Sequence, residues 1–128
     1  MYQKGYDQLY NIVFYANKKG ERPVKEYIDS LQEKADTDKN SRVKLKKIYA
    51  YLGILEENGT RAGSNFIKHL DDDIWELRPL NDRILFFYWD HDTFVLLHHF
   101  RKKTKKTPRR EIDQAIRNKN DFLERSRS

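Results

Sequence analysis

Between positions 74 and 101 the chain passes through three apolar-rich segments, 74–78, 83–89 and 94–101, whose hydrophobic period is close to two. Only Pro79-Leu80-Asn81-Asp82 and Asp90-His91-Asp92 separate them. Connections this short leave no room for a crossover, so neighbouring strands must run antiparallel. Whatever else the chain does, it has to be built around that meander. Alternation puts Ile74, Glu76 and Arg78 on one face and Trp75 and Leu77 on the other, and the latter pair reads as core.

The flanking segments are legible in the same way. Residues 8–15 are rich in aromatic and β-branched side chains and predict a first strand. After a polar turn at Asn17 to Gly20, Pro23 suits a first helical position. Val24, Tyr27, Ile28 and Leu31 then recur at helical spacing, giving a helix that ends near Ala35. Asp36-Thr37-Asp38 offers caps for a second helix carrying Leu45, Ile48, Tyr49, Leu52 and Leu55 and stopped by Asn58-Gly59. The two form an antiparallel helical hairpin. Residues 59–65 read as a loop, 66–70 as a brief extended or turn segment, and Asp71-Asp72-Asp73 as a break. Thr107 as N-cap and Pro108 at the first position start a last helix, with Ile112, Ala115, Ile116 and Leu123 on its apolar side. The expectation is one α+β domain over 1–128, with a mostly antiparallel sheet, an N-terminal helical hairpin and a C-terminal helix.

Length and composition narrow the class. At 128 residues the chain can bury one sizeable core, and its 13% aromatic content argues against disorder despite 36% charged residues. It has no cysteine, which removes thiol catalysis, disulfides and thiolate metal sites. No apolar run reaches the roughly 18–20 residues of a spanning helix, and the first seven residues lack a secretory leader's apolar stretch. A cytoplasmic protein with no membrane contact is expected.

The net charge of +6 is concentrated. Residues 1–100 carry 15 basic and 16 acidic side chains, whereas 101–110 hold seven Lys or Arg and no acid. A near-neutral body with one basic block is the footprint of a polyanion binder, although a solvated basic tail would have the same composition. The block lies between a strand and a helix, held at both ends. Arg109 and Arg110 occupy a first helical turn, where the macrodipole favours acids, and a local rule broken without structural return points to function. Arg101, Lys105, Lys106, Arg109 and Arg110 are the candidate phosphate contacts, aided by the helix N-terminus.

No metal-ligand spacing, phosphate-cradling glycine run or nucleophile elbow occurs, and His98 and His99, adjacent on a strand, point to opposite faces. His69 and His91 read as loop residues. An enzyme with this inventory works without metal or cofactor, using Arg, Lys and His. RNA cleavage suits it, because the 2′-OH supplies the nucleophile. The protein need only take that proton, stabilise the phosphoryl oxygens and protonate the leaving 5′-oxygen. Arginine matches the second task through its bidentate fork. Lysine serves as a base only where like charges crowd it, as they do here.

Trp75-Glu76-Leu77-Arg78, Arg83 opening an aromatic strand, and His98-x-Phe100-x-Lys102-Lys103-x-x-Lys106-Thr107-Pro108-x-x-Glu111-Ile112-x-x-Ala115 resemble the HigB-type, phage-derived toxins of the RelE/ParE superfamily. The resemblance implies a RelE-like fold and ribosome-dependent mRNA cleavage in the bacterial cytoplasm. Its implied partners are mRNA, the ribosome and a cognate antitoxin, commonly a helix-turn-helix protein, with a heterotetrameric toxin–antitoxin complex as one assembly. It places Arg83 at the strand arginine that contacts the scissile phosphate, and Lys102 and Lys103 at the basic active-site positions after the last strand. With Arg78 and His98 these make up the expected catalytic set. RelE's catalytic tyrosine falls at Ile112 here, which leaves His98 or a lysine as general base. RNA or ribosome binding without cleavage, and gyrase poisoning as in the ParE branch, are the alternatives.

Overall fold

The computed structural model describes residues 9–127. Gln8, at the start of the expected first strand, and residues 1–7, read for a leader, lie outside the described residues. The elements are β1 (Asn11–Phe14), α1 (Pro23–Lys34), α2 (Lys39–Asn58), β2 (Ile67–Asp71), β3 (Ile74–Leu77), β4 (Asp82–Trp89), β5 (Thr93–Arg101) and α3 (Arg109–Ser126), with a 3-10 turn at Gly59–Arg61. The sheet order is β1-β5-β4-β3-β2. β2 to β5 pair antiparallel, and β1 joins β5 in parallel. The α+β class, helical hairpin and C-terminal helix are as the sequence predicts, and the sheet is mixed. The segment read as extended or turn at 66–70 is a full edge strand, with His69 on it instead of in a loop.

Both faces of the sheet are covered. Val24, Ile28 and Leu31 of α1 and Leu45, Ile48 and Leu55 of α2 pack on Leu77, Ile84, Phe86, Phe94 and Leu96. Ala115 of α3 packs with Ile74, Leu85, Phe87, Val95 and Leu97 on the opposite face. Covering on both sides explains why β4 is buried from Asp82 to Phe87 and carries little polar alternation. The helix α2 stops at Gly59, whose φ of +59° and approach to Tyr10 leave no room for a side chain: a Cβ there would lie 2.9 Å from the Tyr10 ring.

Charge docks α3. Lys119 Nζ donates to Asp72 (2.9 Å) and Asp73 (2.5 Å) in the β2–β3 turn, and Asn118 Nδ2 donates to the Leu97 carbonyl (2.8 Å). Burial alone would lower the Lys119 pKa, but the two carboxylates hold it above the ordinary value. The Tyr15 hydroxyl donates a hydrogen bond to Asp121 Oδ2 (2.6 Å); burial, then the Asp121 carboxylate, push its pKa up to about 12. The acidic run read as a simple break is therefore the seat of the last helix.

A β-bulge re-aims the end of β5. Leu85 pairs with His98 but Phe86 pairs with Leu96, so Leu97 is the extra residue. Leu97 and His98 consequently both face α3, and from His98 onward the alternation is out of phase with the strand before it.

Candidate functional site

The centre of the α3 side is Glu76, a carboxylate only 2% exposed. Thr107 donates its hydroxyl proton to Glu76 Oε1 (2.5 Å), while Arg78 Nε (3.7 Å) and Arg83 Nε (3.9 Å) approach Oε2. An isolated buried carboxylate would be expensive, and this one is neutralised by two guanidinium groups. Thr107 therefore does not cap α3 as expected: Pro108 occupies the cap position in extended conformation, and no side chain caps the helix. The hydroxyl serves Glu76 instead, tying the basic segment down onto β3.

The two arginines differ. Arg83 is buried, and its Nη1 donates to the carbonyls of Leu80 and Asp82, both at 2.8 Å. Burial, partly countered by Glu76, lowers its pKa from the ordinary arginine value. Its side chain closes the β3–β4 turn from within and presents little surface to a ligand. Arg78 is 30% exposed, donates from Nη1 to the Ser64 carbonyl (3.4 Å), and keeps a buried Nε with no hydrogen-bond partner among the described residues. Arg83, the arginine expected at the scissile phosphate, is thus the buried one, and Arg78 is the one that reaches solvent.

His98, on the same face, shares a 2.7 Å hydrogen bond between Nε2 and Glu111 Oε1. Both side chains are partly buried, with Glu111 in the first turn of α3, where the dipole favours a carboxylate. The position matched to a catalytic tyrosine, Ile112, is buried core.

The segment from Arg101 to Arg110 links this cluster to solvent. The Lys102 N–H donates to the Asn81 carbonyl (2.7 Å), pinning the start of the segment to the β3–β4 turn. Lys102 is half-buried; Lys103, Lys105 and Lys106 are exposed, and no carboxylate lies within ion-pair distance of these four among the described residues. A groove of about 640 Å³ opens here, with Leu70, Pro108 and Ile112 among its walls and Thr104, Lys106 and Arg110 around it. Arg109 corrects the dipole argument: it bonds Asp71 of β2 and, at 2.9 Å, Asp113, so its place in the first turn has a structural return. Arg110 remains exposed, 3.6 Å from Glu111.

A second polar cluster, absent from the sequence reading, lies on the other face. Asp82, 1% exposed, accepts from Tyr27 OH (2.8 Å) and shares a 3.0 Å hydrogen bond with His99 Nε2; Arg101 Nε is 3.7 Å away. The Tyr27 and His99 rings stack at 3.6 Å. This group pins α1 to the end of β5. Its partners are 17 and 55 positions from Asp82, so no local motif announces it. Arg101 is therefore shared between the basic block and this anchor.

No group of three or more His, Asp or Glu side chains suited to a metal ion occurs among the described residues. No helix among them is long and apolar enough to cross a membrane. No curated protein matches the chain. The family model of the phage-derived Gp49-like proteins (DUF891) matches residues 26–120, from α1 through most of α3, and so spans both polar clusters and the whole basic segment. The chain therefore belongs to the phage-derived Gp49-like family.

Proposed function

We propose that the protein is the toxin of a toxin–antitoxin pair and acts as a metal-free endoribonuclease on mRNA at the ribosome. The observation that carries this reading is the basic segment 101–110, anchored at both ends over the Arg78–Glu76–Arg83 and His98–Glu111 groups. Exposed lysines gather the RNA backbone, which is the sequence-independent part of binding. With its Nε2 proton donated to Glu111, His98 keeps the Nδ1 lone pair for the 2′-OH proton. Arg78, with its side chain 30% exposed, offers the solvent-facing part of its guanidinium to the phosphoryl oxygens, and Arg83, from within, holds Glu76 and the turn in place. A lysine of the segment supplies the proton for the departing 5′-oxygen. The cognate antitoxin, as a helix-turn-helix protein, would be the partner that silences this site.

Primer extension on an mRNA in a translating extract tests the reading. Cleavage is expected with the purified protein and only when ribosomes are present, and expression without antitoxin should arrest growth. Intact mRNA and normal growth at confirmed soluble expression would overturn it. The burial of Arg83 favours a second reading, RNA or ribosome binding without cleavage, in which the same extract shows a stalled but uncut message.

Lys102→Ala combined with Lys103→Ala is expected to weaken RNA binding and flatten its salt dependence. Each lost single-strand phosphate contact removes about 0.7 from the log–log slope, so the pair should remove about 1.4. Equal slopes for the two proteins would reduce these lysines to solvated surface.

A further inference from the structure

Helix α2 carries a charge pattern unlike that of the other helices. Its residues include Lys39, Arg42, Lys44, Lys46 and Lys47, and its first acid is Glu56. In the other helices three cations are matched at i, i+4: Lys25 with Asp29 in α1, Arg109 with Asp113 and Arg125 with Asp121 in α3. In α2, Lys39, Lys44, Lys46 and Lys47 have no carboxylate within ion-pair distance among the described residues, and Arg42 donates only to the Ala35 carbonyl (2.7 Å). The N-cap carboxylate of Asp38 favours the helix dipole, but the first turn itself holds no acid, and Lys39 and Arg42 there oppose it. Leu45, Ile48, Leu52 and Leu55 bury one side of the helix; Lys39, Val43, Lys46, Lys47 and Tyr49 are exposed on the other. Tyr49 is 52% exposed and Val43 46%. A helix that repels itself and leaves an aromatic ring in water sacrifices stability along one stripe, and the stripe has the composition of a nucleic-acid surface: cations for phosphates, a flat ring for a base.

We infer that the exposed stripe of α2 is a second RNA contact, with Lys39, Lys46 and Lys47 on backbone phosphates and Tyr49 stacked on an unpaired base. The inference rests on the RNA reading for the identity of the polyanion. It goes beyond it in placing a contact in the helix layer across the sheet from α3, away from the acid–base groups. The protein would then hold two RNA segments at once, the strand to be cut and a structured element carrying an exposed base.

The test is a binding titration with a fluorescein-labelled RNA hairpin of about 20 nucleotides bearing an unpaired loop, repeated across a salt series. Helix content is followed by circular dichroism. The Lys39→Gln, Lys46→Gln, Lys47→Gln triple variant should stay folded and lose about two units of salt slope, at about 0.7 per contact. The corresponding triple Lys→Arg variant should keep the slope. Tyr49→Ala should lower affinity about 5- to 150-fold at unchanged slope. A folded triple variant with wild-type affinity and slope overturns the inference. So does a triple variant that binds the hairpin normally but loses binding to poly-L-glutamate, which would assign the stripe to an acidic protein. Cleavage is not read in this titration, so failure of the nuclease reading shows separately in the primer-extension experiment.

Discussion

Asp82→Ala should destabilise the fold by about 3–5 kcal/mol, a large part of the roughly 5–15 kcal/mol typical of a domain. Asp82 is buried and serves three partners at once: Tyr27, His99 and Arg101. Removing it leaves the Tyr27 hydroxyl and the His99 ring nitrogen without their acceptor beneath α1. Asp82→Asn keeps the shape and one acceptor oxygen and should lose less. Urea denaturation of the three proteins checks the order, and an alanine variant as stable as wild type would remove Asp82 as the anchor of α1. A pH dependence accompanies it. Burial pushes the Asp82 carboxyl up, but the hydrogen bonds of His99 and Tyr27 and the charges of His99 and Arg101 outweigh burial and hold it below the ordinary carboxylate value. A depressed carboxylate contributes stability that is fully present above its unfolded pKa, near 3.9, and lost as pH falls through the lower folded one. Wild type should therefore lose stability on acidification through that range more steeply than Asp82→Asn.

Arg78→Ala should lower mRNA cleavage by about 10²–10³ with little change in thermal stability. The side chain is partly exposed and is held only by a long hydrogen bond to the Ser64 carbonyl and a 3.7 Å ion pair with Glu76. Glu76 keeps Arg83 and Thr107 when Arg78 is lost, so the cluster survives. Arg78→Lys should restore little, because a point charge cannot reproduce the guanidinium fork. Arg83→Ala behaves differently: it removes the donor that the Leu80 and Asp82 carbonyls share and opens the β3–β4 turn, so its loss of activity comes with a lower Tm. A folded, fully active Arg78→Ala protein would take Arg78 out of the site.

The contrast between the arginines marks where the sequence stops being informative. The helices α1, α2 and α3 and the long strands β4 and β5 follow from periodicity, because each presents a continuous apolar stripe to a core. The edge strand β2 carries Lys68 and His69 in succession, both exposed, so its alternation is broken and only pairing with β3 reveals it. Arg78 and Arg83 look equivalent in the sequence, each flanking the same turn. What separates them is distance from the carbonyls of Leu80 and Asp82, a property of the turn's shape. The Thr107–Glu76 bond spans 31 positions, and propensity alone assigns that threonine to the helix cap. The opposite facing of His98 and His99 is legible from alternation, but which histidine meets which helix depends on the extra residue at Leu97.

The parallel pairing of β1 with β5 has a consequence for how the protein is made. Asn11 aligns with Thr93, about 80 residues later, and contacts of such long range are the slowest to form in a folding chain. A nascent chain emerges N-terminus first at about 5–20 residues per second, so β1 leaves the ribosome several seconds before its neighbour. The helical hairpin can form in that interval, but the sheet face it covers cannot. The segment 101–110 follows β5, Thr107 within it must reach Glu76, and α3 must dock before Glu111 meets His98. Assembly of the basic site thus waits for α3 to emerge, and truncated chains released earlier would carry the hairpin without it.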